Sequence, residues 1–254
     1  MEKEIKWLLK EKYNNRPSKK FLKDVKRLTA GEPLDYVIGF TNFGVPPGSC
    51  KIDLSKKPLI PRPETEFWVQ QAVKDILKNS SLPGCCVLDM FAGSGCVGLV
   101  ILKNIKNAKV DFSDKEVEAI AQIKINLKLN KINKKRYKII KSDIFSNIKS
   151  KYDFIFANPP YIPTKNKNKI QKSVLKYEPK NALFGGCDGL FYINKFLKTA
   201  KNHLNFGGKI YMEFDPPQKK QIEKLLQKYK YKNWEFHKDQ YGKLRWVIVF
   251  AVDF

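Results

Sequence analysis

The stretch Val87-Leu-Asp-Met-Phe-Ala-Gly-Ser-Gly95 decides the fold of this chain. It begins with apolar residues that predict a buried strand, and a helical pattern follows it. Gly93 and Gly95 allow the backbone to turn tightly and to approach a ligand closely. Because position 91 is Phe, the stretch departs from the G-x-G-x-x-G pattern of nicotinamide sites. We therefore predict a strand, a glycine turn and a helix that serve a different ligand.

Strands and helices alternate along the rest of the chain. The predicted strands are Cys85–Asp89, Lys109–Ser113, Tyr137–Lys141, Tyr152–Ala157, Gly208–Phe214, Asn233–Lys238 and Arg245–Val252. The predicted helices between them are Gly95–Leu102, Lys115–Asn130, Leu190–His203 and Gln218–Lys228. This order predicts an α/β fold with a doubly wound, mostly parallel seven-stranded sheet, closed by an antiparallel hairpin. Ligands of such sheets bind at the carboxyl ends of the strands.

A small N-terminal segment, residues 1–60, is predicted to precede the main domain at 61–254. Residues 1–30 have apolar positions at helical spacing. The next two apolar runs, Tyr36–Phe40 and Cys50–Leu54, flank a Pro- and Gly-rich stretch and predict a loose β-hairpin. We expect this segment to be helical first and then to form the hairpin.

Composition places the chain among folded proteins without a membrane segment. Hydrophobic residues make up 43% of its 254 residues, which is enough for a substantial core. The longest apolar stretch, Trp246–Val252, is far too short to span a bilayer. The N-terminus lacks the apolar region of a signal peptide. We expect a cytoplasmic protein.

The formal net charge of +24 raises the question of nucleic-acid binding. Of the 49 Lys and Arg residues, five are arginines, which leaves 44 lysines. Recognition of phosphates and base edges favours the planar fork of arginine. We therefore expect nonspecific, screened attraction to RNA or to ribosomes, which a drift of composition towards lysine explains equally well.

The cysteines and histidines give little support for a metal site. The five cysteines show no C-x-x-C spacing, and the two histidines, His203 and His237, lie far apart in the sequence. We expect reduced cysteines that serve as small packing residues, and no bound metal.

Acidic residues at the ends of successive strands predict a nucleoside ligand above the turn at Phe91–Gly95. An acidic strand end followed by A-G-S-G resembles the opening of class I methyltransferases, in which S-adenosylmethionine (SAM) lies over this loop. Asp114 ends the second strand, where a carboxylate accepts both ribose hydroxyls in nucleotide-binding folds; a cap for the next helix is its alternative role, and Asp111 is its competitor. Asp143 is placed to accept the adenine amino hydrogen while Ile144 covers the ring, with a loop or cap role as the alternative.

The tetrad Asn158-Pro159-Pro160-Tyr161 follows a predicted buried strand. Two prolines fix φ at consecutive residues and remove two backbone donors, and a residue before proline stays extended. The Asn158 side-chain oxygen and the adjacent main-chain carbonyl can then accept both hydrogens of a planar NH2 group. The aromatic ring packs on the face of that group, so the tetrad predicts methyl transfer to an amide or an exocyclic amine.

Three functions are compatible with these motifs. The first is transfer to a glutamine amide in a protein, and the second is transfer to adenine N6 in RNA or DNA. A duplex-DNA enzyme must flip its base and usually needs additional recognition structure, for which little chain remains. The third is a SAM-fold binding module without activity, which the intact tetrad and glycine turn disfavour.

The chain resembles the HemK-type family of peptide-chain-release-factor glutamine methyltransferases. The resemblance runs from about residue 28 to the C-terminus and rests on more than the tetrad. The stretches that carry it are Gly31-Glu-Pro-Leu-Asp-Tyr-Val-Ile-Gly39, Leu59-Ile-Pro-Arg-Pro-Glu-Thr-Glu66, Tyr177-Glu-Pro-Lys-Asn-Ala-Leu183 and Gly185-Gly-Cys-Asp-Gly-Leu190. It implies a class I, Rossmann-like methyltransferase fold, SAM as the methyl donor and a release factor with its GGQ motif as the protein substrate.

The resemblance also implies a set of site residues. Catalysis is assigned to Asn158, Pro159 and Tyr161. Substrate binding is assigned to Asn158, Pro159, Pro160, Tyr161, Arg62 and Glu64. Contacts to SAM are assigned to Thr65, Asp89, Phe91, Ala92, Gly93, Ser94, Gly95, Asp114, Asp143, Ile144 and Asn158.

Three features depart from the family pattern. About 30 residues precede the Gly-Glu-Pro segment, where the family has a longer helical domain that helps to grip the release factor. Phe91 replaces a usual glycine, so a donor loop of different shape is expected. Asp215 stands where the family has the glycine of Glu-x-Gly.

Overall fold

The computed structural model describes residues 1–79 and 84–251, and its centre is a seven-stranded sheet. Two further strands form a separate hairpin. The strands are β1 Phe40–Phe43, β2 Cys50–Asp53, β3 Cys86–Met90, β4 Lys109–Asp114, β5 Tyr137–Lys141, β6 Tyr152–Ala157, β7 Leu204–Glu213, β8 Asn233–Lys238 and β9 Leu244–Phe250.

Helices connect the strands and cover the sheet. They are α1 Glu2–Tyr13, α2 Lys19–Thr29, α3 Leu34–Ile38, α4 Pro63–Asn79, α5 Cys96–Asn104, α6 Val117–Leu129, α7 Lys172–Tyr177, α8 Lys180–Leu183, α9 Phe191–Thr199 and α10 Lys219–Lys228. Short 3-10 turns lie at Lys134–Arg136, Thr164–Lys169, Ala200–His203 and Pro216–Gln218. No helix of the described residues is long and apolar enough to cross a membrane.

The strand order of the large sheet is β5-β4-β3-β6-β7-β9-β8. Neighbours from β5 to β7 are parallel, whereas β9 runs antiparallel to both β7 and β8. The order reverses at β3 and β6, whose carboxyl ends lie side by side. This arrangement confirms the predicted doubly wound, mostly parallel seven-stranded sheet, and the reversal is where such sheets bind ligands.

The predicted first strand of the hairpin, Tyr36–Phe40, is wrong. Leu34–Ile38 forms the short helix α3, and the strand begins at Phe40. Pro33 precedes the helix and Gly39 ends it with φ 96°, a left-handed cap that glycine adopts without strain. Tyr36, Val37 and Ile38 are all buried, so tertiary packing explains an apolar run that resembles a strand.

The hairpin and the N-terminal helices pack in different ways. Helices α1 to α3 surround a cluster of their own, which includes Leu8, Phe21 and Leu28. The hairpin residues Phe43 and Ile52 belong instead to the cluster that packs on the large sheet. The hairpin is therefore part of the wall beside the sheet.

Several predicted bounds shift by a few residues. Strand β7 begins at Leu204, earlier than the predicted Gly208, and the helix predicted to reach His203 ends in a 3-10 turn. Strand β9 runs from Leu244 to Phe250, and the predicted end at Val252 lies outside the described residues. None of these shifts moves a site residue away from its strand end.

Candidate active site

A cavity of about 330 Å³ opens where the carboxyl ends of β3, β4 and β6 meet. Its wall combines residues from the glycine turn, from the loops after β4 and β5, and from the tetrad. Of the residues predicted to contact SAM, those that line it are Thr65, Asp89, Phe91, Ala92, Gly93, Ser94, Asp114, Asp143, Ile144 and Asn158. The chain thus brings together in space residues that are up to 93 positions apart.

The glycine turn is held by main-chain and carboxylate contacts. The Ala92 nitrogen donates to the Ser113 carbonyl oxygen at 3.0 Å, and the Gly95 nitrogen donates to the Ala92 carbonyl oxygen at 2.7 Å. Gly93 has φ 53°, and an added Cβ there would come near only the Phe91 carbonyl oxygen, at 3.9 Å. The backbone therefore leaves open space above Gly93 for a ligand. Gly95 itself caps α5 and is not among the residues lining the cavity.

Phe91 keeps the conformation that a glycine would have at this position. Its φ is 59°, in the left-handed region that side chains rarely adopt. Its ring packs edge-on against Tyr192 and Phe196, with centroids 6.2 and 6.1 Å away. Phe91 thus adds an aromatic ring to the wall of the cavity at a left-handed position of the loop. Tyr192, which also lines the cavity, was not predicted, and no sequence pattern marks it.

Asp114 joins the glycine turn to the start of α6. Its Oδ2 accepts from the Gly93 nitrogen at 2.9 Å, and its Oδ1 accepts from the Glu116 nitrogen at 3.0 Å. Each carboxylate oxygen keeps a second lone pair, so the group can cap the helix and still receive two hydroxyl donors. Burial raises the pKa of the Asp114 carboxyl above its ordinary value.

Asp89 serves the scaffold as well as the cavity. Its Oδ2 accepts from the Gly98 nitrogen in α5 at 2.9 Å, and the residue is buried. Burial raises the pKa of its carboxyl to about 8. The side chain ties β3 to the helix that follows the glycine turn.

Asp143 and Ile144 follow β5 at the far side of the cavity. Asp143 is exposed, and Ile144 is buried with φ 52°. The Ser142 hydroxyl donates to the Ile144 carbonyl oxygen at 2.7 Å and thereby fixes this tight loop. An exposed carboxylate beside an apolar side chain suits a ring that carries an amino group.

A second cavity, of about 230 Å³, adjoins the first. Pro159 and Tyr161 line the second cavity, and Pro160 lines the first. Asn158 and Arg62 line both. The tetrad therefore forms a partition between the two cavities.

Asn158 presents an unused acceptor at this partition. Its Nδ2 donates to the Thr65 hydroxyl at 3.3 Å. Among residues 1–79 and 84–251, no protein donor bonds the Asn158 Oδ1 or the Pro159 carbonyl oxygen. The Tyr161 carbonyl oxygen, by contrast, accepts from the Gln218 side chain at 2.9 Å. The Asn158 Oδ1 and the Pro159 carbonyl oxygen are thus open to a planar NH2 group.

Glu213, at the end of β7, lies behind the tetrad and was not predicted. Its Oε1 accepts from the Tyr161 hydroxyl at 2.9 Å, and its Oε2 accepts from Thr65 and Trp68 at 2.7 and 2.6 Å. Burial raises the pKa of its carboxyl, although the three donors and the Arg245 charge oppose this shift. A carboxylate that directly follows the apolar run Ile210-Tyr-Met212 at a strand end is the sequence signal that could have identified it.

Arg62 and Glu64 occupy different environments. Arg62 donates to the Glu178 Oε1 at 2.6 Å, and the Ile60 nitrogen donates to the other oxygen at 3.1 Å. Glu178 is buried, and these two hydrogen bonds connect residues 59–62 to the segment that follows the tetrad. Glu64 lies in the first turn of α4 and is not among the residues lining either cavity.

Asp215, noted above as a departure from the resemblance, begins a capped turn. Its side chain and that of Gln218 form a reciprocal capping box around the 3-10 turn Pro216–Gln218. This turn positions Gln218, which donates to the Tyr161 carbonyl oxygen. The departure therefore supports the backbone just after the tetrad.

The donor set of the first cavity fits SAM. Its volume lies within the usual range for small-molecule sites, about 300–1,000 Å³. The open space above the Gly93 backbone suits the amino-acid part of that molecule. The two carboxylates suit its ribose hydroxyls and its adenine amino group, and the apolar wall suits the adenine ring. Within the described part of the chain, no group of three or more His, Cys, Asp or Glu residues is suited to hold a metal ion.

Solved structures share this fold at low sequence identity. One is the 16S rRNA N2 G1207 methyltransferase of T. thermophilus, at TM-score 0.60 and 16% identity, covering 83% of this chain and 50% of that one. Another is the ribosomal protein L11 methylase of Lactobacillus delbrueckii subsp. bulgaricus, at TM-score 0.54 and 15% identity, covering 80% and 84%. These similarities show the architecture alone.

Sequence comparison is more specific. The model of the methyltransferase small domain family matches residues 72–186. A release factor glutamine methyltransferase of Flavobacterium psychrophilum is 35% identical over 227 residues, which cover 88% of this chain and 77% of that protein. One of Lactococcus lactis is 33% identical over 243 residues, which cover 95% and 86%. The chain belongs to the release factor glutamine methyltransferase family.

Proposed function

We propose that this protein transfers a methyl group from SAM to the side-chain nitrogen of a glutamine in a peptide chain release factor. The observation that carries the proposal is the pair of unused acceptors, the Asn158 Oδ1 and the Pro159 carbonyl oxygen, at the partition of two cavities. The relatives named above carry this activity in their names and match the chain over most of its length.

The chemistry requires help because an amide nitrogen is a poor nucleophile. When bound, SAM supplies an electrophilic methyl group on a sulfonium. The two acceptors hold both N–H bonds of the glutamine amide and aim its nitrogen at that methyl group, which contributes orientation and electrostatic preorganisation. The nitrogen forms the new N–C bond while the C–S bond breaks and its electron pair stays on sulfur. The methylated nitrogen then gives one proton to water.

We assign the donor and acceptor roles to opposite sides of the tetrad. Phe91 to Ser94, Asp114 and Asp143 lie on the donor side, where Asp114 is placed to receive the ribose hydroxyls. Pro159 and Tyr161 lie on the acceptor side, with the Tyr161 ring as the surface for the planar amide.

The decisive experiment offers labelled SAM with release factor in one reaction and with RNA or DNA in another. We expect label on a release factor glutamine, and Asn158→Ala should reduce turnover by about 100-fold or more while the Kd for SAM stays within a few-fold. The matched control is Asn107→Ala, at an exposed asparagine far from the cavities. Label that reaches only nucleic acid supports the adenine-N6 alternative, and near-normal turnover of Asn158→Ala defeats the proposed role of the tetrad.

We also propose two features of partner binding. Residues 1–60 act in recognition of the protein substrate and 61–254 carry the chemistry, which is supported by the separate cluster of α1 to α3. The lysine-rich surface attracts RNA or ribosomes without sequence preference, which is supported by the net charge of +24.

A further inference from the structure

A chain of hydrogen bonds runs from the buried Glu213 to the Asn158 amide. The Trp68 Nε1 and the Thr65 hydroxyl both contact the Glu213 Oε2, at 2.6 and 2.7 Å. The Thr65 oxygen in turn lies 3.3 Å from the Asn158 Nδ2. Glu213 is 1% exposed and Thr65 is 3% exposed, so water does not compete for these contacts.

The direction of each bond follows from the number of protons available. An indole N–H can only donate, and the Glu213 Oε2 accepts from both Trp68 and Thr65. A threonine hydroxyl has one proton, and here it goes to Glu213. Among residues 1–79 and 84–251, the lone pairs of Thr65 are the partners that remain for Asn158, whose NH2 group faces them.

The consequence falls on the other atom of the amide. With the Asn158 NH2 group held by Thr65, the Oδ1 is the atom left for a ligand at the partition of the two cavities. An inverted amide would place two donors against the NH2 group of the substrate and would repel it. Without Thr65, the hydrogen-bonding groups of the ligand alone would determine which of the two orientations of the Asn158 amide is favoured.

We infer that Glu213 is a positioning residue that fixes the orientation of the Asn158 amide through Thr65, with its acceptor oxygen towards the substrate. The inference rests on the proposed function and adds to it the element that sets the polarity of the acceptor site. The other oxygen of Glu213 holds the Tyr161 hydroxyl at 2.9 Å, so the same carboxylate anchors both ends of the tetrad.

Two substitutions of Thr65 separate this role from simple packing. Thr65→Val keeps the shape and removes the hydroxyl, and Thr65→Ser keeps the hydroxyl and removes a methyl group. We expect Thr65→Val to lower kcat by about 10- to 100-fold, with the Tm little changed. The kcat of Thr65→Ser should be at least about tenfold higher than that of Thr65→Val. Equal rates for the Ser and Val variants, or wild-type kcat in Thr65→Val, would overturn the inference.

A double-mutant cycle tests the link to Glu213. Glu213→Leu removes the acceptor, which frees Thr65 to donate to Asn158 and invert the amide. If Thr65 acts only through this connection, adding Thr65→Val to Glu213→Leu lowers kcat no further. Losses that multiply would show independent roles and contradict the relay.

A readout without turnover keeps this inference separate from the proposed function. The side-chain NH2 signals of Asn158, assigned by their loss in Asn158→Ala, should exchange slowly with water in the wild type and in Thr65→Ser, and rapidly in Thr65→Val. If the wild-type protein binds SAM but methylates no release factor, the proposed function is refuted and the inference about Thr65 is not. Unchanged exchange in Thr65→Val refutes the relay, whatever the activity.

Discussion

At the scale of single residues, Phe91 combines a costly backbone with useful ring contacts. Its φ of 59° costs about 1–2 kcal/mol for a residue with a side chain. Each ring contact, to Tyr192 and to Phe196, returns about 0.5–1.5 kcal/mol. This balance explains how an aromatic residue occupies a left-handed position of the loop.

Substitutions of Phe91 should therefore follow an unusual order of stability. We expect Phe91→Gly to be more stable than Phe91→Ala by about 1 kcal/mol, because only glycine removes the backbone cost. Both should be less stable than the wild type, and urea unfolding measures the differences. The control is Phe206, which lies in β7 and is 89% exposed; there glycine should be less stable than alanine. If the alanine variant were more stable than the glycine variant at position 91, the strain argument would be contradicted.

The site could be predicted from sequence wherever a functional residue stands at the end of a local pattern. Asp114 and Asn158 each close an apolar strand, so their place at the ligand-binding edge followed from the alternation of elements. Glu213 also ends a strand, but its bond to Thr65, 148 positions away, is a contact that no local pattern specifies. Glu178 was missed for the same reason, because its partner Arg62 is 116 positions away.

At the scale of elements, the α/β pattern of the main sheet was predictable, and the start of the N-terminal hairpin was not. Strands β5, β6 and β8 have the predicted bounds, because each is an apolar or alternating run between clear breaks. Tyr36–Ile38 is an apolar run too short to distinguish a helix from a strand by periodicity. Pro33 and Gly39, which delimit the helix, were the better signals.

The junction of β3 and α5 gives a prediction about pH. The buried Asp89 carboxyl, whose pKa is raised to about 8, accepts from Gly98. A carboxyl with a raised folded-state pKa contributes stability below its unfolded pKa, and this contribution is lost as pH rises from about 4 through 8. Asp89→Asn keeps an acceptor and cannot ionise.

We therefore expect Asp89→Asn to gain stability relative to the wild type as pH rises from about 5 to 8. The free energy of urea unfolding, measured for both proteins across that interval, tests this. The control is Asp153→Asn. Asp153 is half-buried and lies at the opposite end of the sheet. A stability difference that does not change with pH would show that Asp89 stays ionised throughout.

At the scale of the whole molecule, the charge predicts how the protein meets polyanions. Lysines dominate the positive charge, and Lys165, Lys167 and Lys169 are exposed on one short turn. Binding driven by released counterions weakens with salt, with a slope of about 0.7 per neutralised phosphate on single strands. Sequence preference should be absent because the arginine fork is scarce.

Replacing these three lysines by alanine should reduce the salt slope for single-stranded RNA by about 2. Fluorescence anisotropy with RNAs of unrelated sequence, measured over a series of salt concentrations, provides the slopes. The control replaces Asn166 and Asn168 of the same turn by alanine, which leaves the charge unchanged. Affinity that depends on RNA sequence, or a slope that the lysine replacements leave unchanged, would contradict nonspecific attraction.

The position of β9 has a consequence for biosynthesis. This strand is the last of the seven to be translated, yet it lies between β7 and β8 and pairs Trp246 with Glu213. Until it emerges from the ribosome, β7 has one open edge and the nascent chain exposes an unfinished sheet. Glu213 thus acquires its neighbour on β9 only after the other six strands of the sheet have been made, so the sheet edge behind the tetrad is the last to be completed.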